Sequence, residues 1–239
     1  LVRRSRDGTV LEPEGRALVA VAENMERGLA AVRRDEGGAE LSGTIRISAG
    51  EGFARPVVHV LARVRRRHPG LSFEMPVESR IADIGRREAE IGVRTARTTS
   101  KGVVERKLAT FALAFFAAPS YVESRLPAAR LRAADVESVD FIVEDARTSP
   151  IRKLLFERGA RRFALATTNE TARIEAARLG LGVAVFADAQ VRREAGLVRL
   201  DSELSLPSID AFVAYHRDLR TDRRVAAVVR ALLDAGRSL

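Results

Sequence analysis

The chain has 239 residues, no cysteine, and 41 Lys and Arg against 32 Asp and Glu, a formal net charge of +9. The missing thiols exclude a disulfide framework and any thiolate metal site, and no apolar run approaches the roughly 18 residues of a membrane-spanning helix. The positive balance is compatible with nucleic acid, yet residues 1–40 hold seven arginines against eight acids and lysine occurs only at Lys101, Lys107 and Lys153, so most of the excess reads as an arginine-rich solvated surface further along. With no secretory signal in the sequence, the composition fits a reducing, cytoplasmic setting.

"LVRRSRDGTVLEPEG" opens the chain. Asp7-Gly8 between "RRSR" and "TVL" predicts a tight hairpin, because both central residues of a type I′ turn need positive φ. Arg3, Arg4 and Arg6 would cluster on it, where they could enter a nucleic-acid groove. Pro13 then suits the first turn of a helix, with Glu12 and Glu14 at its positive end. Leu18, Val21, Met25, Leu29 and Val32 follow at steps of three and four, one apolar stripe on a helix of about five turns. "DEGGAELSG" (35–43) reads as a linker. A lone amphipathic helix must bury its stripe on the following domain or on a second copy of itself, and pairing with a copy is the favoured expectation.

Beyond the linker, strand and helix patterns alternate. "TIRISAG" predicts a strand, "ARPVVHVLARVRRRHPG" a helix stopped by Pro69-Gly70, "LSFEMPVE" a strand, "IADIGRREAE" a helix and "IGVRT" a strand. "FALAFFAAP", "FIVED", "PIRKLLFERGA", "RFALATT", "NETARIEAARLG", "GVAVFA" and "LVRL" continue the alternation, and "IDAFVAYHR" with "DRRVAAVVRALLDAG" closes it. Such alternation predicts an α/β architecture with mostly parallel sheets.

Catalytic signatures are missing: there is no G-x-S-x-G, H-E-x-x-H or phosphate-loop motif and no cysteine nucleophile. His59, His68 and His216 are isolated and read as structural. In "LGLGV" (179–183) the glycines follow a helix and precede a strand, the reverse of a dinucleotide fingerprint, so Gly180 reads as a helix C-cap. No cofactor and no metal site is expected. What remains are strand ends, where open α/β sheets hold ligands against helix N-termini. "SAGEGFAR" (48–55), with Gly50, Glu51 and Gly52, and "LATTNETAR" (165–173), with Thr168 and Asn169, have that form. One lies in each half of the region, as two jaws of a cleft would.

Over nearly its whole length the chain resembles LysR-type transcriptional regulators. "LVRRSRDGTVLEPEGRAL" is similar to the family's L-F-x-R-x-x-x-G-x-x-L-T-x-x-G-x-x-L, "IGRREAEIGVR" to its x-x-R-E-A-D-I-A-V-R, "AAPSYVES" to its crossover between subdomains, and "RDLRTDRRVAAVVRALLD" to its C-terminal helix. Val2 stands where the family usually has Phe, and Glu12 where it has a capping Thr. Glu51 adds a carboxylate to a loop that often carries small hydroxyls.

The resemblance implies an α/β fold of two Rossmann-like, periplasmic-binding-protein-type subdomains, preceded by a winged-helix remnant and a long linker helix. The implied divisions are a wing at 1–12, a dimerisation helix at 13–36, subdomain I at 43–118 and 210–239, and subdomain II at 119–209. Most of a helix-turn-helix would precede Leu1. The implied function is transcriptional regulation on double-stranded DNA, controlled by a small effector between the subdomains, in a homodimer or homotetramer with no membrane partner and no enzymatic role. The effector site would comprise Gly50, Glu51, Gly52, Ser79 and Arg94 on one jaw and Thr168 with Asn169 on the other. Arg94 and two helix N-termini favour an anionic group such as a carboxylate, whereas Glu51 favours an amine or hydroxyl on the same ligand. Arg3, Arg4 and Arg6 would contact DNA, and Leu18, Val21, Met25 and Leu29 a partner copy. The alternative from another class is a solute-binding protein for transport, which would need neither wing nor linker helix.

Overall fold

The structure, a computed structural model, describes residues 1–5, 8–15, 18–19, 21–22, 25, 40–76, 82–98, 100–144, 149–191, 194 and 196–237. Strands β1 (Val2–Ser5) and β2 (Gly8–Leu11) form the N-terminal hairpin. Its register pairs Val2 with Leu11 and Ser5 with Gly8, so Gly8, expected in the turn, belongs to the second strand; Asp7 lies outside the described residues. Residues 13–15, 18–19, 21–22 and 25 are helical. Leu18, Val21 and Met25 are 55%, 54% and 65% exposed, so this part of the stripe is not buried on its own chain. Leu29, like Arg6 and Ser79, lies outside the described residues.

Two five-stranded sheets make up the remainder. The first has the order β4 (Leu71–Glu74), β3 (Gly43–Ala49), β5 (Ile91–Arg94), β14 (Ile209–His216), β6 (Val103–Phe111). The second runs β10 (Arg162–Ala166), β9 (Asp140–Val143), β11 (Val183–Ala187), β7 (Leu113–Ala117), β12 (Val198–Arg199). A small parallel pair, β8 (Arg130–Leu131) with β13 (Asp201–Ser202), lies outside both. Each sheet has a parallel set of three and an antiparallel strand beside it: β14 runs against β5, and β7 against β11. The sheets are therefore mixed rather than mostly parallel, because the chain crosses between them twice and must run back through each.

Helix α1 (Glu51–Arg67) packs Val57, Val60, Leu61 and Val64 on the first sheet, at the three- and four-residue steps of one helical face. Helix α6 (Arg223–Gly236) adds Val225, Val228, Val229, Leu232 and Leu233 to the same core, its N-terminus capped by Asp222 accepting from Arg224 N and Val225 N. In the second unit, α2 (Pro119–Arg125) and α3 (Pro150–Glu157) supply Tyr121 and Leu155 to one face of the sheet, and α4 (Glu170–Arg178) supplies Ala176 and Ala177 to the other. A short helix, α5 (Asp188–Val191), follows β11.

Three expectations change. Residues 82–90 form turns, not a helix: Arg87 sits at φ +60, and Glu88 Oε2 accepts from Asp83 N at 2.9 Å, tying the segment into a loop. Strand β6 (Val103–Phe111) ends at the first residue of "FALAFFAAP" and was not among the predicted strands. Leu113–Ala117 is a strand of the second sheet, so the change of sheet falls at Ala112 rather than at 118. Gly180 does end α4 at φ +78, its N–H bonded to Ala177 O and that of Leu181 to Ala176 O.

Candidate functional site

The C-terminal ends of β3 and β5 point toward the second subdomain. Gly50 follows β3, receives no side-chain cap, and donates its N–H to Val93 O at 3.2 Å, which sets the start of α1 beside the end of β5. Glu51 is the first residue of α1, and its carboxylate reaches across to α4. Oε1 accepts from Asn169 Nδ2 at 3.1 Å and Oε2 from Glu170 N at 2.5 Å. Asn169 meanwhile caps its own helix, with Oδ1 accepting from Ala172 N at 2.7 Å. The amide of Asn169 thus serves both the helix and the facing subdomain.

Two more contacts lie beside this one. Gln190 Nε2 donates to Gly52 O, and the Arg55 guanidinium pairs with Glu194, whose other oxygen takes Arg178 at 2.5 Å. Gly52 leaves room for the Glu170 carboxylate: a Cβ there would stand 2.7 Å from Glu170 Oε2 and would push that side chain aside. Glu170 is held above the ordinary carboxylate range, first by burial, with Glu51 and Glu144 adding to the effect and Arg173 opposing it. Along this edge the two subdomains are latched by hydrogen bonds and one ion pair.

Arg94 ends β5 and is only 8% exposed. Its Nε and one terminal nitrogen are buried without a hydrogen-bond partner. Burial lowers its pKa, against the pull of Glu105 and Asp83. A buried guanidinium with unfilled donors is costly unless something accepts from them, and the fold does not itself saturate this one.

The structure joins Glu51, Gly52 and Asn169, and places Gly50 and Arg94 on neighbouring strand ends. Thr168 is exposed and makes none of the described hydrogen bonds; Thr167 Oγ1, one position earlier, accepts from Asn169 N at 3.2 Å. Sequence reasoning missed Glu170, Gln190 and the Arg55–Glu194 pair. Glu170 N lies 119 positions from Glu51, and no local spacing signals such a meeting. Among the described residues no group of His, Asp or Glu is arranged to hold a metal, and no helix is long and apolar enough to cross a membrane.

Residues 38–237 match the family described as LysR substrate binding domain. The fold is similar to CrgA, a LysR-type transcriptional regulator from Neisseria meningitidis, at TM-score 0.70 and 14% identity, covering 99% of this chain and 83% of that one. It is also similar to the Vibrio cholerae virulence activator AphB, at TM-score 0.67 and 17% identity over 98% and 83% of the two chains. The CcmR regulatory domain of Synechocystis PCC6803, in complex with 2-PG, aligns at TM-score 0.69 and 14% identity over 83% of this chain and 99% of that one. A comparison with curated proteins gave no match. The family match, spanning both subdomains, does not favour a transport receptor; the chain belongs to the LysR family of effector-controlled transcriptional regulators.

Proposed function

We propose that the effector is a small organic acid that also carries an amine or hydroxyl, bound between the strand ends at Gly50–Gly52 and Arg94 on one side and Thr168–Asn169 on the other, with Ser79 contributing from the first side. The observation that carries this reading is Arg94: a buried guanidinium with open donors beside the cleft favours a carboxylate by charge-assisted hydrogen bonds. An amine or hydroxyl on the same ligand competes with Asn169 and Glu170 N–H for the Glu51 carboxylate. A ligand that takes Glu51 away from α4 shifts the pose of the two subdomains, because it binds the unlatched arrangement better than the latched one. That a domain of this fold holds a small ligand has a counterpart in the CcmR regulatory domain, solved in complex with 2-PG.

The regulator acts on double-stranded DNA, with Arg3, Arg4 and Arg6 of the hairpin on phosphates or in a minor groove, where they set affinity and register rather than base choice. Leu18, Val21, Met25 and Leu29 pair with their counterparts in a second copy, giving a homodimer or homotetramer in the cytoplasm, with no membrane partner and no catalytic step. The exposure of the first three supports that pairing.

A thermal-shift screen of amino and hydroxy acids tests the effector class. A ligand at about 100 times its Kd adds roughly 2.7 kcal/mol of stability. Hits are expected to lose at least tenfold in affinity in Arg94→Gln, since a buried charge-assisted hydrogen bond contributes about 1.5–3 kcal/mol. Hits that bind Arg94→Gln and wild type alike place the site elsewhere.

A further inference from the structure

The first sheet carries another set of uncommitted cations at its opposite end. Tyr215 pairs with Ile91, three residues before Arg94 on β5, which puts it about 10 Å along the strand from the cleft. There a groove of about 390 Å³ lies between the edge strand β6, the turn after β14 and helix α6. Val225, Val229 and Leu233 give it an apolar floor beside the Tyr215 ring, Arg106, Arg220 and Arg230 stand around it, and the Asp234–Arg237 pair forms part of its wall.

The nearby acids are already engaged. Asp222 holds Arg224 at 2.6 Å, Asp218 holds Arg87 at 2.6 Å, and Asp234 holds Arg237 at 3.4 Å. The Arg106, Arg220 and Arg230 side chains have no hydrogen-bond, ion-pair or ring partner among the described residues. Three like charges around one concavity repel one another, and an anion placed among them relieves that repulsion while its carbon skeleton covers the floor. Guanidinium forks match phosphate and carboxylate oxygens in pairs, and the volume falls in the range of small-molecule sites.

We propose that this groove is a second ligand site, separate from the effector cleft, for a small organic anion with an apolar body. It lies toward the end of the sheet at which β3 begins with Gly43, the end where the preceding helix delivers the chain. A ligand there acts on the entrance of the domain rather than on the angle between its subdomains.

Phenyl phosphate is the probe, titrated calorimetrically into the whole chain, with inorganic phosphate and phenol as its two halves. Phenyl phosphate is expected to bind at least about tenfold more tightly than either half, because both the charge and the ring contribute. Arg106→Gln combined with Arg230→Gln should weaken it about tenfold or more. Ala226→Glu, which sets a carboxylate at the rim from an exposed position, should do the same without removing any packed group. Arg94→Gln should leave phenyl phosphate binding unchanged. Equal binding of inorganic phosphate and phenyl phosphate, persistence of binding in both groove variants, or its loss in Arg94→Gln would each overturn the proposal.

Discussion

Glu51 Oε1 accepts a hydrogen bond from Asn169 Nδ2 at 3.1 Å, joining the first turn of α1 to the first residues of α4 across the two subdomains. The carboxylate stands where the unfilled N–H groups and positive end of α4 favour an anion. The chain thus supplies its own anion to that helix, leaving Arg94 with open donors.

Removing that carboxylate should loosen the latch. In Glu51→Ala the Glu170 amide loses its acceptor, and with about 2 kcal/mol of charge-assisted bonding gone its hydrogen exchange should quicken about 30-fold. Amides in the β9 and β11 core should keep their protection. Uniform loosening of both would show that Glu51 supports the whole fold rather than the latch.

Glu170 ionises above the ordinary carboxylate range because the closed fold buries it near Glu51 and Glu144. The folded state therefore holds its proton more tightly than the unfolded chain does. The cost of ionising it is fully present above the raised folded pKa and fades as pH falls through that value toward the ordinary 4.5. Glu170→Gln should melt higher than wild type at neutral pH, and the difference should shrink as the solution is acidified across this window. Thermal melts from neutral pH downward measure it, and an unchanged difference would show that Glu170 is not held above the ordinary carboxylate range.

Arg94→Met should stabilise the ligand-free chain by about 1–2 kcal/mol, since a buried guanidinium with two unbonded nitrogens gives way to an apolar side chain of similar length. The same variant should lose carboxylate binding. Denaturant unfolding and ligand titration of one preparation read both effects, and a variant that is less stable but still binds would assign Arg94 to the core instead.

Leu18→Ser with Met25→Ser should lower the sedimentation coefficient of the chain by removing apolar contact between copies, because both side chains are more than half exposed on their own chain. An unchanged oligomer would leave that stripe without a partner copy.

Changing Arg3, Arg4 and Arg6 to Ala should weaken binding to duplex of any sequence and flatten its salt dependence, by about 0.9 in logarithmic slope for each phosphate that is no longer neutralised. A salt slope identical to wild type would take the hairpin off the DNA.

Much of the architecture was readable from periodicity, because α1 and α6 bury one helical stripe each and the β11 strand is apolar throughout. Strand β6 was harder. It is an edge strand with Arg106 and Lys107 exposed, so its apolar residues do not alternate cleanly. The helical pattern of residues 82–90 yielded to tertiary context, with Ile84 buried against Ala89 and Ala214 while Glu88 ties back to Asp83 N. The candidate site was legible as two strand-to-helix junctions. The partner that Glu51 meets was not, because the acceptor and its donors lie in different subdomains, 118 and 119 positions apart in the chain.

The single residue Ala112 separates β6 from β7, and it accepts from Asp188 N at 2.9 Å. Around this point Phe53 and Phe111 lie 6.0 Å apart, and Phe111, Ala187 and Ala211 form a small apolar cluster shared by the two units. A pivot this short behaves as a fulcrum. Strand β6 extends nine residues from it, about 30 Å of lever arm, so a rotation of about 5° at Ala112 swings the Val103 end by roughly 2.6 Å. A rotation of that size set by a ligand in the proposed cleft would be delivered as travel at the distant end of the first subdomain, the end at which the helix carrying Leu18 and Val21 is attached.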